Sequence, residues 1–246
     1  ETSCPAFMDQ ASAAASSFLV GDEDARIRRV QAYAILGNDA YPTLAIEATR
    51  QMRGGGTPIL GGQPAWVRID GQTILLDDTG SLRFVASPQE RLSERTVSAA
   101  DVLSGKASAE RFAGKLVLIG SSLPSLGGLR PSASMPLEPS VQIHADIANA
   151  ILTGFLPQRD GRLPLAEAVA ALVAGLGVAF AATRLRPLTS AALGLGAVVA
   201  AVSAAAVIYD GSGWLVDAVS ISIALIAVLA VTSVLQFAAV RRAEAT

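Results

Sequence analysis

The sequence predicts an α/β or α+β domain with a covered sheet, joined to a three-helix transmembrane bundle. Three observations carry that expectation. The chain is 51 % hydrophobic and 16 % charged, with a mean hydropathy of +0.46, whereas roughly a quarter of the residues of an ordinary soluble domain are charged. The charge is also unevenly placed. From Leu165 to Val240 only Glu167, Arg184, Arg186, Asp210 and Asp217 carry it, while the stretch before Leu165 has a normal mixture. Finally, the local patterns before Leu165 alternate between strand and helix. Residues 1–163 therefore read as a soluble portion, 164–240 as membrane helices and 241–246 as the start of a further segment.

Taken in order, "RIRRVQAYAIL" (Arg26 to Leu36) alternates polar and apolar residues and reads as a strand, with Ile27, Val30 and Ala32 imperfectly in phase. "YPTLAIEATRQM" reads as a helix, entered at Pro42 and ended by Gly54-Gly55-Gly56. "AWVRIDGQTILL" is a hairpin turning at Asp70-Gly71. "VSAADVLSG" is a short helix capped by Ser98, with Asp101 in its first turn and Gly105 closing it. "KLVLIG" (Lys115 to Gly120) is a short apolar strand, as expected where both faces of a sheet are covered. "SVQIHADIANAILTG" is the clearest helix, with Ile143, Ile147 and Ile151 on one face and Gly154 at its end.

Three apolar runs follow, at about 165–183, 188–209 and 214–240. Each is long enough for a bilayer, which takes about 20 residues. Their links are short, "RLRP" and "DGSG". Arginine in short loops stays on the cytoplasmic side, so Arg184, Arg186, Arg241 and Arg242 are expected there. The link with Asp210 then lies outside, and so does the soluble region. Arg159 and Arg162, also outside, count against this orientation without reversing it. Small residues recur every four positions, at Ala171, Gly175 and Ala179 and again at Gly196, Ala200 and Ala204. Such stripes let helices approach closely in lipid.

Several kinds of chemistry are excluded. A net charge of −2 without a Lys/Arg cluster argues against nucleic acid as a partner. Cys4 is the single cysteine and His144 the single histidine, so no His/Cys zinc site, and no metal or cofactor, is expected. The stretch "RFAGKLVLIGSS" raises two catalytic readings. A phosphate loop needs a lysine after the glycine turn, but Lys115 precedes the run and Pro124 and Pro131 follow it. A nucleophile elbow needs a second glycine where Pro124 stands. His144 and Asp146, two apart on a helix, point in different directions, so Asp146 does not orient that imidazole. His144 reads as a core-edge histidine bonded to backbone. No catalytic residue is expected, and the chain itself is not expected to be an enzyme.

The order "VSAADVLSG", "FAGKLVLIGSS", "VQIHADIANAILTG" and three closely linked spans resembles the second type of CHASE domain, as do "DARIRRV" and "YPTLAIEA" upstream. Such domains are extracytoplasmic sensors of bacterial adenylate and diguanylate cyclases, histidine kinases and Ser/Thr kinases. In the family an earlier sensor half, usually preceded by one membrane helix, and a cytoplasmic effector are expected outside this stretch; the initial Glu1 in place of Met agrees with an excerpt or a processed start. This sequence has "LGGLRP" and Ser140 where the family commonly has an Asp and a Gly. The resemblance implies a multi-pass protein of the bacterial inner membrane with a cytoplasmic C-terminus. It would relay an outside stimulus to an effector, foremost an adenylate or guanylate cyclase. The alternative is an accessory structural subunit of a larger membrane complex. Expected partners are the lipid bilayer, an extracytoplasmic ligand or protein, and a second copy or a membrane complex. By analogy with ligands at the carboxyl ends of sheet strands, the Ser121–Ser140 loop is the expected ligand region. Its candidate binding residues, with one on the following helix, are Ser121, Ser122, Arg130 and His144.

Overall fold

The computed structural model describes residues 5–126 and 128–244 and divides the chain into two units, residues 1–158 and 159–246. In chain order the first unit contains α1 (Pro5–Met8), β1 (Arg29–Gln31), β2 (Tyr33–Leu36), β3 (Asp39–Pro42), α2 (Leu44–Met52), β4 (Ile59–Gly62), β5 (Ala65–Ile69), β6 (Gln72–Leu75), β7 (Ser81–Arg83), α3 (Gln89–Arg95), α4 (Ala99–Leu103), β8 (Leu129–Arg130), β9 (Glu138–Pro139) and α5 (Ser140–Thr153). The class is mixed α/β, as expected, but the strand content is divided among small antiparallel sheets: β1–β7, β2–β3, β4–β5–β6 and β8–β9.

Arg26 to Leu36 is two strands rather than one. The break falls at Ala32, whose N–H donates to the Gly80 carbonyl (3.0 Å) and whose carbonyl accepts from the Thr43 N–H (2.9 Å). Those two bonds pass the chain from the β7 ladder to the β3 ladder, which is why the alternation slips phase there. The hairpin turns where expected: Asp70 (φ 46°) and Gly71 (φ 81°) are both left-handed, the geometry that matches the twist of a two-residue turn. Ser98 caps α4 through its Oγ, which accepts from the Ala100 N–H.

The core forms where α5 packs against α2 and the strands. Ile143, Ile147 and Ile151 are fully buried together with Ile46, Val67, Ile69, Ile74 and Leu82. Each such side chain removed from water contributes about 2 kcal/mol. The Ile151 carbonyl, near the end of α5, accepts from Gln72 Nε2 at 3.0 Å. The left-handed Gly154 (φ 76°) then ends the helix.

"KLVLIG" departs from expectation. Lys115 to Gly120 is not a strand and pairs with none among the described residues. Leu116 packs against the core, but Val117 and Ile119 are exposed, Ile119 by 92 %. An apolar run becomes a covered strand only where neighbouring strands take its N–H and C=O groups, and none stands beside it here. Gly120 sits so close to α5 that a Cβ would lie 2.6 Å from the Val141 Cβ.

The second unit contains α6 (Leu163–Arg184), α7 (Pro187–Ser212) and α8 (Ala218–Glu244). All three are long and apolar enough to cross a membrane, over Leu163–Arg184, Leu188–Ser212 and Ala218–Ala238. Only 17, 6 and 6 % of these stretches are buried within the protein, so most of their apolar surface faces outward, toward lipid. The third helix starts at Ala218 rather than Trp214, because Asp217 halts the chain there: its carboxylate accepts from the Ser220 N–H at 3.0 Å and from the Ser220 hydroxyl at 2.5 Å. On α6 the small-residue stripe lies inward, with Gly175 buried and a Cβ there 3.5 Å from Val228 of α8. On α7 it does not. Gly196, Ala200 and Ala204 are exposed, and among the described residues of α7 the buried positions are Ser190 and Gly194, the latter against Leu229. Alanine is common all round α7, so spacing alone did not distinguish its faces.

Candidate functional site

A cleft of about 210 Å³ opens in the first unit between the segment before β1, the start of β2 and the turn into β7. Ser16, Phe18 and Asp22 contribute from the first of these, Arg29 and Gln31 from β1, and Ser81 from β7. Phe18 is an exposed aromatic ring at its rim. Polar groups are held in place within it. Arg29 Nε donates to Asp22 Oδ1 at 2.6 Å, and its Nη1 lies 3.4 Å from Asp77 Oδ2. Asp77 also accepts from the Thr79 N–H (3.0 Å), the Thr79 hydroxyl (2.6 Å) and the Ser81 N–H (2.9 Å). Burial works against the Asp77 charge, but these bonds together hold its carboxyl below the usual range. Asp22, in turn, holds the Arg29 guanidinium in its charged form. Asp22 also lies 3.6 Å from Arg28 Nη1, so two guanidiniums and two carboxylates balance one another here, with Asp77 behind the lining and hydroxyls and the Gln31 amide beside it. Such a surface offers donors and acceptors to a small polar ligand.

The wall of the cleft is backed by α5. His144 is buried, and its Nε2 lies 3.3 Å from the Ser17 carbonyl, between Ser16 and Phe18. That contact assigns the ring proton to Nε2. Burial, partly offset by this bond, depresses the imidazole pKa, so the ring is held neutral. Two residues on, across the helix, Asp146 points elsewhere. It accepts from the Ser87 N–H (2.8 Å), the Ser87 hydroxyl (2.6 Å) and Arg95 Nη1 (2.5 Å). His144 and Asp146 thus serve separate networks, as their spacing predicts, and form no catalytic pair.

Glu138, in β9 just before α5, is fully buried with neither carboxylate oxygen hydrogen-bonded. Burial pushes its carboxyl pKa up and the Asp146 charge adds to that. The nearby Ser132 hydroxyl, itself engaged with Ser134 and Met135, opposes the shift by more than Asp146 adds to it, but does not cancel the effect of burial. At the entrance to α5 this carboxyl therefore holds its proton to higher pH than an ordinary glutamate.

The four residues expected to bind ligand are not brought together at the cleft. Ser121 and Ser122 lie in the loop after Gly120, where the Ser121 hydroxyl accepts from the Leu123 N–H at 3.1 Å. Arg130 is exposed on β8, paired in register with Glu138. None of the four lines the cleft, though His144 supports it from behind. Sequence reasoning passed over Arg29, Asp22 and Asp77. The signal available was the dense charge of "DEDARIRR" together with "DDTGS", residues that make sense as a site only once β1 and β7 are paired.

A family model for the CHASE2 domain matches residues 5–183, from the first described residue through the first membrane helix. No curated protein and no solved structure matches the chain. With most of its length matched and three membrane helices at its C-terminal end, the chain belongs to the CHASE2 domain family of extracytoplasmic sensors.

Proposed function

We propose that this chain is the sensory and membrane-spanning part of a bacterial receptor that reports an outside stimulus to a cytoplasmic effector of the nucleotide cyclase class. The observation that carries this reading is the CHASE2 match running through residue 183 into the first of three consecutive spans. The stimulus is a small polar ligand bound at the Arg29–Asp22–Asp77 cleft. It acts on α5 through the segment that His144 supports, and α5 leads by a short linker to the membrane helices. The receptor works as a homodimer, with its C-terminus in the cytoplasm. Binding shifts an existing equilibrium between two packings only by its differential affinity for them. This chain supplies no catalytic group of its own.

The test is to produce the full-length gene product in a strain lacking its own cyclases and to measure cyclic nucleotide in membranes. Cyclic nucleotide synthesis that falls on Arg29→Ala, with protein level unchanged, supports the reading. A full-length product that makes none, and that purifies in a fixed complex lacking any effector domain, replaces it with an accessory subunit.

A further inference from the structure

At the extracytoplasmic end of the second unit, two backbone groups converge on one partly buried ion pair. Arg159 and Glu167 meet end on: Nη1 to Oε1 at 3.1 Å and Nη2 to Oε2 at 3.0 Å. The carboxylate side chain is only 10 % exposed. Arg159 Nη1 also donates to the Leu215 carbonyl at 2.8 Å, and Glu167 Oε1 accepts from the Asp217 N–H at 2.7 Å. These two partners flank Val216 in the segment entering α8. Asp217 then caps α8 through its bonds to Ser220. A charged residue inside a span is costly in hydrocarbon and marks a working site by default. Glu167 is the only acidic residue within the α6 span.

We infer that Arg159 and Glu167 form a clamp that couples the exit of the sensor directly to the start of α8. Arg159 is joined by a peptide bond to Gln158, the last residue of the first unit. Any displacement of that junction is therefore imposed on the guanidinium, and its fork transmits it to Leu215 and, through Glu167, to Asp217. The planar, bidentate geometry matters: a lysine holds one point, whereas arginine fixes orientation as well. Signal then reaches α8 without having to pass along α6 and α7. This rests on the receptor reading above for its output, but not for the clamp itself.

The clamp and the relay are tested separately in the full-length protein in phospholipid vesicles. Trp66→Phe, with any tryptophan outside residues 1–246 also replaced by Phe, leaves Trp214, next to Leu215, as the reporting tryptophan. Arg159→Ala and Glu167→Ala are expected to change Trp214 emission and its quenching by acrylamide, and to change effector output. The exchanged pair Arg159→Glu with Glu167→Arg keeps opposite charges but offers no donor to the Leu215 carbonyl and no acceptor to the Asp217 N–H, so it is expected to recover neither, and Arg159→Lys to fall between wild type and Arg159→Ala. Arg162→Ala, an exposed arginine one turn away, is expected to change neither. Unchanged Trp214 signals in Arg159→Ala and Glu167→Ala overturn the clamp. A Trp214 change with unaltered output, or an equal effect of Arg162→Ala, overturns the relay. A protein without any effector output sinks the receptor reading, while the Trp214 arm still decides the clamp.

Discussion

Glu138 and His144 bracket the first turn of α5, and burial drives both toward their neutral forms, with opposite consequences for pH dependence. His144 is depressed below its ordinary 6.5, so the unfolded chain binds more protons in the window just below that value. Its contribution is full above 6.5 and is lost as pH falls through the folded value. Glu138 is raised above its ordinary 4.5, so the folded chain binds more protons there. Its contribution is full below 4.5 and is lost as pH rises through the folded value. Urea midpoints measured across this range are expected to fall on both sides, with Glu138→Gln flattening the alkaline limb and His144→Gln the acid limb. Asp146, on the same helix, accepts hydrogen bonds from Arg95 and Ser87. Asp146→Ala leaves Arg95 without its carboxylate partner, and a loss of about 3 kcal/mol in unfolding free energy is expected.

At the scale of elements, α5 connects the parts that the residues describe. Its apolar face makes the core, its polar positions hold the cleft wall and the Ser87–Arg95 segment, and its start is crowded by Gly120. Gly120→Ala forces a Cβ against Val141 and is expected to cost about 1–3 kcal/mol, read as a lower urea midpoint. In the membrane the corresponding close approach is Gly194 against Leu229. Gly194→Leu should separate α7 from α8 and lower the temperature at which the protein aggregates in detergent, while Gly196→Leu, on the exposed face, leaves it unchanged. The long helices and the Asp70-Gly71 hairpin were legible in the sequence, since periodicity and turn chemistry are local. The strand expected at Lys115–Gly120 does not form, because an apolar run does not carry the information of which neighbour completes its ladder.

For the whole molecule, the arrangement of charge still sets the expected orientation. Arg184 and Arg241 lie over the Phe180 and Phe237 rings at 5.2 and 4.8 Å. Cationic ends of this kind favour the cytoplasmic boundary. Arg159 and Arg162 count against that orientation without reversing it, and Arg159 is paired with Glu167. An alkaline phosphatase reporter placed in the Asp210–Gly213 link is expected to be active, and one placed after Thr246 inactive; the reverse pattern would invert the topology.

Composition, span length and the order of a few short segments determined the class, the three membrane helices and the family, because hydropathy and helical period are properties of contiguous residues. The cleft and the clamp came only from tertiary structure. Asp22, Arg29 and Asp77, like Arg159, Glu167 and Leu215, are far enough apart in the chain that only folding places them within hydrogen-bonding distance. Once buried, such polar groups are stable only together, and that mutual dependence leaves no periodic trace in the sequence.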